Sequence, residues 1–224
     1  MNYCQFRNET IKRMANAGGG GLLPAKYQQV EYLESSGTQY INTQYAPTVN
    51  NLRIVTRLNV LQKVSDNDRF CGSQNGSNCS IVPWYNKVAA YGTPPLAVVG
   101  VGSSYHIGQV NTSYNTIYDI DLTADNGNVS GNYCGYSINT TYSGTVGNNL
   151  SIYIFGSNVS NHQAGRDRCA ARFYMFDIYS GGELKFSAVP CYRKSDNKPG
   201  MYDILTSTFL TNAGSGEFSV GQDV

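Results

Sequence analysis

The chain has 224 residues and carries 16 Lys and Arg against 15 Asp and Glu, for a formal net charge of +1. Charged residues are 14% of it, well below the roughly 25% of an average soluble domain, which leaves no basic face for nucleic acid and no polybasic patch for a membrane surface. Hydrophobic residues at 41% suffice for a folded core, and 24 Gly with 18 Tyr in a chain poor in Glu argue against a helical bundle.

Residues 1–17 read as a separate arm. Asn8 caps a short helix over Glu9–Ala15, with Ile11 and Met14 on one face. Two turns of helix do not stand alone in water, so the arm is expected to dock on a partner or a neighbouring copy. Tyr3, Phe6, Ile11 and Met14 are its candidate attachment side chains. Residues 18–23 form a Gly-rich hinge around Gly18–Gly21. The leading segment lacks an apolar core of the kind a secretory signal needs, so the expected site of synthesis is a cytosol with no ordinary export route. No run reaches the roughly 18 apolar residues of a membrane helix, and no membrane insertion is expected.

From residue 24 the pattern is strands and turns. Tyr27–Leu33 opens a strand, and Thr38–Thr43 follows the turn Ser35-Ser36-Gly37. Asn51–Val60 alternates Leu52, Ile54, Thr56 and Leu58 against Arg53, Val55, Arg57 and Asn59, a period of two. Short strands are expected over Arg69–Gly72, Ser80–Tyr85, Lys87–Tyr91, Ala97–Val101, Asn115–Leu122, Gly131–Asn139 and Leu150–Phe155. Ala170–Tyr179 and Glu183–Pro190 flank Ser180-Gly181-Gly182, a hairpin signal. Two small strands close the chain around Asn212-Ala213-Gly214. Many short strands with Gly-rich turns predict an all-β antiparallel sandwich or jelly roll, as one domain over 24–224.

Two stretches are more specific than composition. Leu23-Pro24-Ala25-Lys26-Tyr27 through Glu34-Ser35-Ser36-Gly37-Thr38-Gln39-Tyr40-Ile41-Asn42-Thr43 opens the domain. Phe173–Tyr179, Gly181-Gly182, Val189-Pro190-Cys191-Tyr192-Arg193, Gly200-Met201-Tyr202-Asp203 and Asn212-Ala213-Gly214 close it. Together they resemble a LamG-like, concanavalin A-type jelly-roll domain that recurs in bacteriophage virion proteins and in surface proteins of gut bacteria. The resemblance implies two curved antiparallel sheets with the first and last strands side by side. On that layout Val30 and Tyr32 would zip against Phe209 and Phe218. The fold hosts many roles, so the resemblance speaks for architecture more than for activity.

The chemistry is sparse. A glycosidase of this superfold needs two close carboxylates. The Glu residues, at 9, 31, 34, 183 and 217, make no Glu-x-Asp-x-x-Glu motif, and Asp119-x-Asp121 reads as a solvated strand face. His106 and His162 show no triad spacing, and no Gly-rich phosphate loop is present, so an enzyme is not expected. Asp66 and Asp68, around Asn67, read either as calcium ligands or as an Asx turn, and so does Asp125-Asn126-Gly127-Asn128; no other cofactor is implied. Six Cys, with no CxxC pair, exclude a zinc ribbon. They read as buried free thiols, with a Cys71–Cys79 bridge an alternative only for a protein living outside the cell. Trp84, Tyr85, Asn86, Tyr91, Tyr105 and His106 put rings beside amides in the variable middle of the chain. They are candidate glycan contacts, although the ordinary reading of Trp84 is a structural one.

The anchor, hinge and head layout, with the resemblance, leads to a phage structural protein expected in the virion and assembled in the host cytoplasm. It would contact other virion proteins through its arm, form a homo-oligomer, and touch host glycans through its head. A stand-alone carbohydrate-binding surface module of a gut bacterium is the alternative.

Overall fold

The computed structural model describes residues 23–65, 67–85, 96–160 and 162–224. Among these residues there is no helix. The strands are, in chain order, β1 (Tyr27–Gln29), β2 (Leu33–Ser36), β3 (Ile41–Asn42), β4 (Asn51–Gln62), β5 (Asp68–Arg69), β6 (Cys71–Asn75), β7 (Asn78–Tyr85), β8 (Leu96–Gly102), β9 (Ser104–Asn111) and β10 (Ile117–Asp125). There follow β11 (Asn128–Tyr133), β12 (Tyr136–Thr141), β13 (Tyr153–Ile154), β14 (Ser157–Val159), β15 (His162–Arg166), β16 (Ala170–Ser180), β17 (Glu183–Arg193), β18 (Lys198–Asp203), β19 (Thr208–Thr211) and β20 (Ser219–Val220).

They form two sheets. The larger runs β12-β11-β10-β4-β16-β17-β18-β19, with β1 beside β17 and β2 between β16 and β20. The smaller runs β15-β14-β6-β7-β8-β9, with β13 joining β3 to β6 and β5 beside β7. Every pairing is antiparallel except β14 with β6. The protein is therefore an all-β, antiparallel, sandwich-like fold.

The period of two in β4 is what seats the core. Leu52, Ile54, Leu58 and Val60 point between the sheets and are fully buried, while Arg53 and Arg57 point out. Thr56 falls on the inward face and donates its hydroxyl to the Met175 carbonyl at 2.6 Å, which satisfies a buried polar group. Phe155, just after β13, meets Phe173 of β16 edge-on at 4.6 Å and Phe218 at 5.0 Å. Each such ring contributes roughly 1.5–3 kcal/mol through the apolar area it removes from water.

The two ends of the domain are stitched together. β2 pairs with β20, and Val30 bridges Asp223. The tail continues past β20 with Glu31 N to Gln222 O at 2.8 Å and Val224 N to Gln29 O at 3.1 Å. Val30 and Phe218 are buried as expected. Phe209 stacks instead on Tyr27, 4.8 Å away, in a second apolar cluster with Val189, Cys191 and Tyr202.

Several elements differ from the sequence reading. Tyr27–Leu33 is not one strand: Val30 N bonds Pro190 O while Glu31 N turns to Gln222 O, so the chain steps from β17 to β16 midway. Thr38–Thr43 shrinks to Ile41–Asn42 because the turn runs on to Gln39. The side-chain oxygen of this buried residue accepts from Ser36 N at 2.9 Å and Ser35 Oγ at 3.0 Å. Gly131–Asn139 is a hairpin, turned by Cys134 and Gly135 at φ 53° and 89°. Leu150–Phe155 keeps only β13. The sequence reading left β9, β14 and β15 unassigned, and the strand expected at Lys87–Tyr91 lies outside the described residues.

Candidate functional site

The arm residues Tyr3, Phe6, Ile11 and Met14, hinge residues 18–22, Asn86 and Tyr91 lie outside the described residues. Trp84 and Tyr85 end β7, opposite Val98 and Ala97 of β8 and opposite Arg69 and Asp68 of β5. Tyr105 and His106 sit on β9, along the other edge of β8. The smaller sheet thus brings the backbone of both groups to flank one strand; the side chains of Trp84, Tyr85 and His106 are outside the description. Tyr105 acts as a strut. Its hydroxyl donates to Ser77 O at 2.8 Å and accepts from Gln74 Nε2 at 3.3 Å. Its ring packs on Cys79, Val82 and Val98.

Asp66 is outside the described residues. Asp68 is fully buried and ties its own loop: one carboxylate oxygen accepts from Ser65 N at 2.7 Å and Ser65 Oγ at 2.8 Å, the other from Val64 N at 2.8 Å. The donors precede Asp68 in the chain, so this is a carboxylate tying down the loop before it and not an Asx turn, whose donor follows the Asx residue. Among the described residues no three His, Cys, Asp or Glu side chains gather to hold a metal. Asp119 and Asp121 face arginines: Arg53 clamps Asp121 with two bonds of 2.7 Å, and Arg57 reaches Asp119 at 3.1 Å. Cys71, Cys79, Cys134, Cys169 and Cys191 are buried free thiols. Burial pushes Cys79 up to about 11 and Cys191 up to about 12, and it raises the other three as well.

The sequence reading missed a cluster on the outer face of the larger sheet. Pairing of β2 with β16 sets Glu34 opposite Arg172, and β4 sets Asn59 on the other side of Arg172. Arg172 Nε donates to the Glu34 carboxylate at 2.5 Å. That bond is the largest influence raising the guanidinium above its ordinary value. The same guanidinium lies 4.5 Å from the Tyr32 ring centroid. Tyr32 in turn meets Tyr174 edge-on, with centroids 5.7 Å apart and planes at 67°. Asn59 itself is buried. Its Oδ1 is buried and takes no donor among the described residues, an unmet acceptor of the kind that costs free energy.

Two half-exposed rings, a fixed guanidinium and a carboxylate share one face. Rings take the C–H faces of a polyhydroxylated ligand and the polar groups take its hydroxyls. The sequence signal was the period-two spacing of Tyr32 with Glu34 and of Arg172 with Tyr174. A cavity of about 270 Å³, lined by Thr43, Gln44, Tyr45, Asp203, Thr206 and Thr208 among others, offers less. Its buried Asp203 is already engaged by Ser187 N, Leu205 N and Thr206 Oγ1. No known family model matches the chain, and no curated protein matches it.

Proposed function

We propose that the chain is a bacteriophage structural protein, a LamG-like, concanavalin A-type jelly roll displayed on the virion by residues 1–17. The observation that carries the reading is how the head closes. Every strand named above finds its partners between residues 27 and 223, and β20 seals against β2 where the chain enters the sandwich. A head whose named strands all pair without residues 1–17 leaves that peptide to serve as a tether. The family resemblance and the Gly18–Gly21 hinge point the same way, and many copies on one particle would strengthen a weak arm by raising its effective concentration. Removal of residues 1–17 tests this: the truncated protein should keep a β-rich circular dichroism spectrum and fail to join particles. Retained assembly would refute the reading.

A second reading, a carbohydrate-binding module, is favoured by the Tyr32, Tyr174, Arg172 and Glu34 cluster. Binding of the 24–224 head to a glycan array, measured with Trp84→Ala and Arg172→Ala, tests it and distinguishes the two candidate faces. An array with no specific signal would count against both.

A further inference from the structure

We propose that β12 is an assembly edge, at which a second copy of this chain adds antiparallel to form one continuous sheet across a two-fold axis. The proposal stands on geometry independent of the virion reading.

β12 ends the larger sheet, and among the described residues its strand partner is β11 alone. The β11–β12 hairpin turns through two residues, Cys134 and Gly135, so Tyr133 and Tyr136 form the closing hydrogen-bonded pair. In an antiparallel ladder such pairs alternate with open ones. Tyr136, Ile138 and Thr140 therefore spend their main-chain groups on β11. Ser137, Asn139 and Thr141 aim N–H and C=O outward, along the free edge.

Natural sheets guard such an edge with Lys, Pro, a bulge or brevity. β12 has none of these. Its six residues, Tyr-Ser-Ile-Asn-Thr-Thr, carry no charge and no proline, and its register with β11 is unbroken. The other free edges differ: β9 shifts register twice against β8, β15 contains Arg166, and β19 is four residues long. Among the described residues, of the four strands that end the two sheet paths, β12 alone lacks such a guard.

The strand is also complementary to itself. A dyad through Asn139 places Asn139 opposite its own copy and Ser137 opposite Thr141. About six main-chain hydrogen bonds then form, flanked by hydroxyl and amide side chains with no like charges facing. A two-fold interface must be self-complementary in this way, and this strand meets that condition.

The test uses the full chain in sedimentation equilibrium, with Asn139→Lys as the variant. Asn139 is exposed, and its Oδ1 accepts from Asn128 Nδ2 at 3.2 Å on the surface, so the substitution leaves the core untouched while placing two lysines across the dyad. The native chain should show twice the 24.5 kDa protomer mass. The variant should dissociate at least about tenfold more readily with an unchanged circular dichroism spectrum. Amide hydrogen exchange at 137, 139 and 141 should be slow in the native protein and fast in the variant. A native chain that stays monomeric up to about 100 μM, or a dimer that Asn139→Lys leaves intact, would overturn the proposal. An edge that gains protection only from an extended peptide of another protein would overturn it too.

Discussion

The Tyr133 hydroxyl, carried by β11 of the larger sheet, donates to the Val98 carbonyl of β8 in the smaller sheet at 3.0 Å, wholly inside the sandwich. It is a polar rivet through an apolar layer. Tyr133→Phe keeps the ring and removes a donor from a buried carbonyl. The expected loss is about 1–3 kcal/mol, which for a domain of this size lowers Tm by roughly 2–4 °C per kcal/mol. Urea unfolding of the two proteins measures it, and an unchanged midpoint would mean the carbonyl is fully satisfied elsewhere.

Gly131 and Gly135 lie four residues apart and make opposite predictions. Gly131 has φ 138°, and a Cβ there would sit 1.9 Å from the Asp121 carbonyl oxygen. That main-chain atom belongs to the neighbouring strand and cannot move without breaking the ladder. Gly131→Ala should cost at least about 3 kcal/mol. Gly135 has φ 89° with open space where a Cβ would go, so Gly135→Ala should cost only about 1–2 kcal/mol of backbone strain. Chemical denaturation of both variants ranks them.

The buried thiols predict alkaline sensitivity. In the unfolded chain a cysteine ionises near its ordinary 9.0, whereas in the folded protein Cys79 holds its proton up to about 11 and Cys191 up to about 12. Above pH 9 the unfolded state therefore binds fewer protons than the native state, and stability falls as pH rises. The slope for each fully buried thiol is about 1.4 kcal/mol per pH unit. The urea midpoint should fall between pH 8 and pH 10, and Cys71→Ala should flatten the fall. In the native state at pH 8 the five thiols should be inert to a thiol reagent.

Arg172→Ala separates recognition from stability. The Arg172–Glu34 pair is a partly exposed ion pair, with side chains 34% and 26% exposed. Pairs of this sort contribute about 0–1 kcal/mol, so unfolding should shift little. Binding of a polyhydroxylated ligand at the Tyr32 face should weaken at least about tenfold. Equal binding by the native protein and the variant would remove the cluster from consideration.

How far the sequence reveals the molecule depends on the range of the interaction. The alternation of β4 and the Gly181-Gly182 hairpin between β16 and β17 are local, and they were legible. The Cys134-Gly135 turn was not, because cysteine at positive φ carries no turn signal of its own. Gln39 was not, since a side chain replacing strand hydrogen bonds looks like any other glutamine. Arg172 and Glu34 are 138 positions apart in the chain, and only the pairing of β2 with β16 brings them together. Their same-face spacing with Tyr174 and Tyr32 was visible, but nothing local says that the two strands are neighbours. Trp84 stood out because its ring lies beside Tyr85 and Asn86 in the sequence, whereas the larger sheet's outer cluster is assembled from separate strands.

The interleaving of residues 29–32 with 221–224 has a practical side. Val224 is bonded to Gln29 and remains 74% exposed, six residues along from Leu23. The head can therefore be re-sequenced as a circular permutant, its old ends joined by a short Gly-Ser linker and new ones opened at the exposed Gly181-Gly182 turn. Because Val224 is bonded to Gln29, near where the chain enters the sandwich, the head can also be spliced as a cassette into a surface loop of an unrelated carrier through short linkers.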